Sequence, residues 1–102
     1  MEECEKLEGI DLSYLKTVDL RYIQNLSNLK KIYLIDCGLE NIDELKNLNP
    51  VEVYLWGNNI NNLPDLSRWV NIKKINVAGN PIAKETHIVD ENGYVRMNSF
   101  NK

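Results

Sequence analysis

Cysteine and histidine are the side chains of this chain best suited to covalent or metal chemistry. Its 102 residues include two cysteines, Cys4 and Cys37, and one histidine, His87. A catalytic thiol needs a base beside it, and a metal site needs several ligands at short spacings. The three residues lie far apart along the chain, and there is no glycine-rich phosphate loop and no Ser/His/Asp set. The sequence therefore predicts a protein that is not an enzyme and that uses no cofactor and no metal.

Aromatic residues offer a different chemistry, the recognition of another protein. Aromatics make up only 8% of the chain, and four of them fall within or just after short apolar segments that resemble one another. These segments are LEGIDLSYL from Leu7, LKKIYLIDC from Leu29, PVEVYLWGN from Pro50 and IKKINVAGN from Ile72. Their equivalent residues Ile10, Ile32, Val53 and Ile75 are separated by 22, 21 and 22 positions. The chain is therefore built from a repeat, and each copy places its aromatic side chains at related positions.

The repeat must be stabilised by stacking. One unit of this length cannot bury its own apolar face, so each copy packs against its neighbours, and four copies exceed the minimum of about three. Backbone groups that face inward at the turns need hydrogen-bond partners, and an asparagine side chain supplies both a donor and an acceptor. We therefore predict an internal ladder formed by Asn58 and Asn80, with Cys37 as a small buried group in the same column.

The segments fit the pattern L-x-x-L-x-L-x-x-N/C, which resembles the leucine-rich repeat family. The resemblance is to its short 22-residue class, seen in internalins and in phosphatase-1 regulatory subunits, and it covers Leu7 to about Ala83. It implies an α/β fold: a right-handed solenoid with about four parallel strands on a concave, partner-binding face. Short turns or one-turn helices would lie on the convex side. Two residues depart from the pattern. Leu15 stands where the family prefers Asn or Cys, and Pro50 stands where it prefers Leu.

The chain reads as a single domain, 1–102, with caps at both ends of the repeats. Residues 1–6 form the predicted N-terminal cap, 7–83 the repeats, and 84–102 a C-terminal cap. Asn92-Gly93 lies between alternating residues, which is a strong hairpin signal. We predict a β-hairpin from about Thr86 to Met97 with Ile88 and Val95 facing inward, followed by a loose tail. The alternative is that this hairpin itself binds a partner, through Tyr94 and Arg96.

The strand period predicts which side chains face the partner. The residue between the second and third Leu positions, and the two after the third, should point to the concave surface. Adjacent strands lie about 4.8 Å apart, so Tyr33 should lie beside Tyr54 and Ile35 beside Trp56. The alternative is that the aromatics only stabilise the sheet. The predicted partner-binding residues are Tyr14, Tyr33, Ile35, Asp36, Tyr54, Trp56 and Asn76.

Charge and hydropathy narrow the class of partner. Two lysine pairs, Lys30-Lys31 and Lys73-Lys74, occupy equivalent positions and could contact phosphates. The net charge of -3 and the pI near 5.1 oppose nucleic-acid binding. No apolar run approaches the roughly 18 residues of a membrane span, and no secretory signal is visible. We expect a cytoplasmic protein that binds another protein, with no nucleic acid and no membrane as partner; the sequence does not indicate an oligomeric state.

Two functions remain in contention. The first is a non-catalytic protein-binding module that uses the aromatic concave face, and its sharpest form is a small inhibitor or immunity protein that occludes a toxin or enzyme. The second is a scaffold or assembly subunit that makes lateral contacts through its capping hairpin and solenoid edges. The two hypotheses differ in the surface that should be sensitive to substitution.

Overall fold

A computed structural model of the chain describes residues 6–97, which form a four-stranded parallel sheet and three one-turn helices. The strands are β1 (Gly9–Asp11), β2 (Lys31–Tyr33), β3 (Glu52–Tyr54) and β4 (Lys74–Asn76), and they pair in chain order. The helices, all 3₁₀, are Leu20–Tyr22, Asp43–Leu45 and Pro81–Lys84. The predicted N-terminal cap, apart from Lys6, and the predicted tail after Met97 lie outside the described residues.

The register of the sheet follows the repeat phase. Ile10 pairs with Ile32, Ile32 with Val53, and Val53 with Ile75, all in parallel. Hydrogen bonds continue just beyond the strands, where the Leu34 N–H donates to the Tyr54 carbonyl at 2.8 Å. The prediction of four parallel strands is confirmed. Returns of nearly equal length keep equivalent residues opposite one another.

The core lies between the sheet and the returning segments. From the strands and the positions after them, the fully buried side chains include Ile32, Leu34, Val53, Leu55, Ile75 and Val77. Burial of one such side chain stabilises the fold by about 1.5–3 kcal/mol. From the returns, Trp69 is 2% exposed, and its indole Nε1–H donates to the Leu45 carbonyl at 3.1 Å. Trp69 therefore links two successive returns.

Local side-chain chemistry shapes the short helices. Asp19 caps the first one: its Oδ1 accepts the Arg21 N–H at 3.0 Å, and the Arg21 guanidinium contacts both carboxylate oxygens. These hydrogen bonds from Arg21 lower the pKa of Asp19 to about 2. Pro81 starts the third helix, where a missing N–H costs nothing. The first two helices thus lie in the returns between β1 and β2 and between β2 and β3, and the third follows β4.

The segment after the third helix contains a tight turn. The Gly93 N–H donates to the Asp90 carbonyl at 3.0 Å, and the Asp90 N–H donates to the Tyr94 carbonyl at 2.8 Å. Val89 and Val95 form an antiparallel bridge and are 1% and 3% exposed. The prediction that Ile88 faces inward agrees with its packing against the core, although Thr86, His87 and Ile88 are in a turn and the extended chain starts only at Val89. Ile88 is half-buried.

The same segment covers the edge of β4. Asn76 lies opposite Tyr94 in an antiparallel bridge, the Val77 N–H donates to the Gly93 carbonyl at 2.7 Å, and the Val95 N–H donates to the Ile75 carbonyl at 2.8 Å. An unpaired strand edge is a template for association with other chains. In this protein the chain's own residues 93–95 occupy that edge.

Candidate protein-binding surface

The strand register sets one residue from each strand side by side on the same face. Asp11 is opposite Tyr33, Tyr33 opposite Tyr54, and Tyr54 opposite Asn76. The antiparallel bridge to Tyr94 extends this row by one more residue. We use the name aromatic face for the surface that carries Tyr33, Ile35, Tyr54, Trp56 and Tyr94.

Tyr33 and Tyr54 form a stacked pair at the centre of the row. Their ring centroids are 4.8 Å apart and their planes are 11° from parallel. The Tyr54 hydroxyl donates a 2.5 Å hydrogen bond to Glu52 Oε1. This hydrogen bond raises the pKa of Tyr54 to about 12, with partial burial acting in the same direction. It also lowers the pKa of Glu52, so the carboxylate stays ionised at neutral pH. The same hydrogen bond holds the Tyr54 ring in one orientation.

Trp56 stands beside a small apolar depression on the aromatic face. Its side chain is 58% exposed, which is unusual for the largest side chain in proteins. The depression has a volume of about 330 Å³. This lies at the lower end of the range for ligand pockets, so the depression suits a side chain better than a cofactor. Its lining consists of Ile35, Tyr54, Trp56, Asn76, Ala78, Asn92 and Tyr94.

A missing side chain in the next repeat makes room for the Trp56 ring. Gly79 has a positive φ of 74°, and a Cβ added to it would lie only 3.2 Å from Trp56 Cδ1. Such a contact is tighter than carbon atoms normally make, so a larger residue would displace the indole. The position of Trp56 therefore depends on a glycine that the chain needs anyway for its left-handed turn.

Tyr14 and Asp36 lie in turns just after β1 and β2. Their φ angles are 69° and 56°, and Gly57 and Gly79 occupy the same left-handed position in the next two repeats. A positive φ ends the alternation of side chains that a strand would continue. Asp36 forms an ion pair with Lys16. Tyr14 is 68% exposed, and within residues 6–97 the stacked ring contact is that of Tyr33 and Tyr54. The assignment of Tyr14 to the partner-binding surface stays a prediction.

Asn58 binds the backbone of two repeats from a buried position. Its Oδ1 accepts the N–H groups of Cys37 at 2.8 Å and Leu39 at 3.1 Å. Its Nδ2 donates to the carbonyls of Leu34 at 2.7 Å and Leu55 at 2.9 Å. Every polar atom of the side chain is thus used. With only 7% exposure, Asn58 leaves water little access to these backbone groups.

Asn80 makes similar contacts at the equivalent position of the next repeat, and Cys37 occupies that position in the preceding repeat. Asn80 Oδ1 accepts the Ile60 N–H at 3.0 Å, and its Nδ2 donates to the Leu55 carbonyl at 2.7 Å. The buried Cys37 thiol lies 3.2 Å from the Leu12 carbonyl. Together the three residues form the column of inward contacts described above as a ladder.

A charged row lies two positions before the tyrosine row on β2, β3 and β4. Lys31 is opposite Glu52, and Glu52 is opposite Lys74. The two lysines, with Lys73, help to lower the pKa of Glu52. Because Glu52 also accepts the Tyr54 hydroxyl, the charged row and the aromatic face are linked through one carboxylate.

The structure joins two surfaces that the sequence presents as alternatives. Tyr94 was predicted only as part of a separate hairpin surface, yet it lines the same depression as Trp56. The Asn76 Nδ2 donates to the Asn92 carbonyl at 3.3 Å, which ties the two sides together. The sequence signal for this residue was the alternating pattern around Asn92-Gly93, but that pattern does not say which strand the segment will meet.

Comparison with known proteins finds no matching family model, no matching curated protein and no matching solved structure. In residues 6–97 no three His, Cys, Asp or Glu side chains come together in a way that could hold a metal ion. No helix in that range is long and apolar enough to cross a membrane. The geometry of the aromatic face is therefore the basis for a functional assignment.

Proposed function

We propose that this chain is a leucine-rich repeat solenoid, right-handed and capped by its C-terminal hairpin, which binds another protein through the aromatic face. Support for the repeat family comes from the parallel register at steps of 21–22 residues and from the buried Asn58 and Asn80. Support for the cap comes from the pairing of Gly93–Val95 with β4. In this reading the sheet forms the concave surface.

The observation that carries the function is the exposed Trp56 beside the apolar depression and the stacked Tyr33–Tyr54 pair. Tryptophan and tyrosine are enriched among the residues that dominate binding energy, and a polar rim around them excludes water. Lys31, Glu52 and the ion pair of Lys16 with Asp36 supply such a rim. A small cytoplasmic inhibitor or immunity protein is the form of this function that we favour, because an acidic domain of this size has room for one main binding surface.

A scaffold function is the second candidate, and the other end of the sheet favours it. Within residues 6–97, β1 is the terminal strand at the opposite end of the sheet from β4. The outer side of Gly9–Asp11 is therefore an edge. Such edges pair readily with strands of other chains. Lateral contacts through this edge would be insensitive to changes on the aromatic face.

Affinity capture distinguishes the two candidates. The intact protein, a Trp56→Ala variant and an Asp43→Ala control on the second helix are immobilised in equal amounts and exposed to a lysate of the source cells. A partner bound by the intact protein and the control, but lost with Trp56→Ala, supports the aromatic face. Equal retention by all three proteins would remove the proposal and direct attention to the β1 edge.

A further inference from the structure

A second cavity adjoins the Trp56 depression and carries positive charge. It has a volume of about 560 Å³ and is lined by Lys73, Lys74, Asp90, Tyr94, Val95, Arg96 and Met97. Tyr94 is the residue shared by the two linings. We call this second cavity the basic recess. It lies next to the depression, with the Tyr94 side chain common to both.

The cations of the basic recess are largely uncompensated. In residues 6–97 the ion pairs within 4.0 Å are made by Lys16, Arg21 and Lys30, so neither Lys73 nor Lys74 has one. Both lysines are exposed. Arg96 uses its Nε–H for the Thr86 carbonyl at 3.0 Å, which is a neutral acceptor. A local excess of positive charge therefore exists in a chain whose net charge is -3.

The one carboxylate in the lining is already engaged. Asp90 Oδ1 accepts the N–H groups of Asn92 at 2.9 Å and Tyr94 at 3.0 Å, so Asp90 holds the turn that positions Tyr94. Glu52 lies opposite Lys74 on the neighbouring strand and accepts the Tyr54 hydroxyl. These two negative charges reduce the potential of the recess but leave three cations around it.

We infer that the depression and the basic recess together bind one extended segment of a partner protein, with an apolar side chain followed or preceded closely by Asp or Glu. The apolar side chain enters the depression beside Trp56, and the carboxylate lies among Lys73, Lys74 and Arg96. Two to three residues of extended chain span about 7–10 Å. This length allows one segment to reach both the depression and the basic recess, which share the Tyr94 side chain. This inference rests on the proposed function and specifies the kind of partner segment.

A carboxylate fits the recess better than a phosphate. Phosphate groups carry close to two negative charges at neutral pH, and Asp90 and Glu52 would repel such a dianion more strongly than a carboxylate. Recognition of phosphate also favours a bidentate arginine fork, whereas Arg96 is turned toward the Thr86 carbonyl. Lysines act as point charges and can pair with a single carboxylate from several directions.

Selection from random linear peptides displayed on phage tests the inference with the intact protein as bait. We expect the enriched peptides to carry a large apolar residue within three positions of Asp or Glu. An enriched peptide is then synthesised, together with a version in which its carboxylates are replaced by amides, and both are titrated by calorimetry. Amide replacement should weaken binding roughly fivefold to tenfold, as expected for loss of one or two exposed ion pairs.

Matched variants locate the effect on the protein. The double change Lys73→Gln with Lys74→Gln should weaken binding of the acidic peptide by the same factor. Binding of the amide version should be unaffected. Lys46→Gln with Arg68→Gln removes equal charge from exposed positions that line neither cavity; it should change affinity less than about twofold. Circular dichroism of each variant verifies that the fold is retained.

The outcomes separate this inference from the proposed function. Peptides that need Trp56 but bind equally well as amides would overturn the acidic-segment inference while leaving the aromatic face intact. Peptides that bind the lysines but tolerate Trp56→Ala would overturn the coupling of the two cavities. No enrichment over the Trp56→Ala bait would count against both.

Discussion

The ring of Tyr33 on β2 lies flat against the ring of Tyr54 on β3, with centroids 4.8 Å apart. Tyr54 is also held at its hydroxyl by Glu52. Both rings are thus restrained before any partner arrives, so binding would lose less side-chain entropy than on a mobile surface. The exposed Trp56 adjoins this rigid pair through the depression that it lines with Tyr54.

We predict that Trp56→Ala weakens partner binding by roughly 2 kcal/mol or more, as expected for a central aromatic anchor. The free energy of unfolding should change little, because more than half of the side chain is exposed in the free protein. Calorimetry on the captured partner, beside denaturant unfolding, measures the two quantities. Asp43→Ala on the second helix is the control. Equal affinities for both variants would show that the aromatic residues serve only the sheet.

Changes in the charged rim should act on kinetics more than on affinity. Lys31→Ala and Glu52→Ala alter charges that steer encounter with the partner, so we expect a change in association rate and in its dependence on salt. Stopped-flow or surface-binding kinetics at two ionic strengths measures this. A change confined to the dissociation rate would mean that these side chains lie inside the contact and not around it.

The Tyr54–Glu52 hydrogen bond should affect how the stability of the fold depends on pH. The pKa of Tyr54 is raised to about 12, so its contribution to stability is complete below its unfolded pKa of about 10 and is lost as the pH rises through about 12. Glu52 has a lowered pKa, so its contribution is present above its unfolded pKa and is lost as the pH falls through the lower folded value. Nuclear magnetic resonance of tyrosine labelled at Cζ follows the first titration directly.

The matched variants for this prediction are Glu52→Gln and Asp43→Asn. Removing the Glu52 charge should move the Tyr54 pKa back toward its ordinary value, whereas the same change at the distant Asp43 should leave it near 12. If Tyr54 titrates alike in both variants, the hydrogen bond is not what shifts it.

Asn58→Ala should lower the free energy of unfolding by roughly 1 to 3 kcal/mol, because buried backbone groups of two repeats would lose their partner. Asn59→Ala, at the exposed neighbour, is the control and should change stability by less than about 0.5 kcal/mol. Cys37→Ser should have a milder effect than Asn58→Ala. Chemical denaturation measures all three, and an unchanged midpoint for Asn58→Ala would refute the ladder.

Gly93→Ala should destabilise far more than Gly38→Ala. Both glycines have positive φ, at 87° and 71°, so alanine costs about 1 kcal/mol or more of backbone strain in each. At Gly93 the new Cβ would also lie 2.5 Å from the Cβ of Ala78, whereas at Gly38 it meets nothing within 4 Å. We expect an added cost of roughly 1–3 kcal/mol at Gly93 from this overlap, measured by thermal unfolding. Similar costs at both sites would mean that residues 93–95 pack loosely on β4.

The repeat phase was sufficient to predict the parallel register and the placement of Tyr33 beside Tyr54. It did not indicate that Tyr14 and Asp36 turn with positive φ, or that the last extended segment starts at Val89 and leaves Ile88 half-buried. An alternating pattern identifies extended chain but not the residue at which it begins. Of the four equivalent residues with positive φ, only Gly57 and Gly79 could be recognised from the sequence, because glycine is the residue type that commonly adopts this conformation.

The sequence by itself determined the parallel strand order and register and most of the buried positions, because returns of nearly equal length force equivalent residues to stack. Only the tertiary structure decided that Gly93–Val95 pairs with β4 and brings Tyr94 to the depression beside Trp56. Contacts inside the repeat recur with its period and can be read from spacing. The pairing of Tyr94 with Asn76 occurs once, and it depends on where the turn at Asp90–Gly93 meets a free strand edge in space.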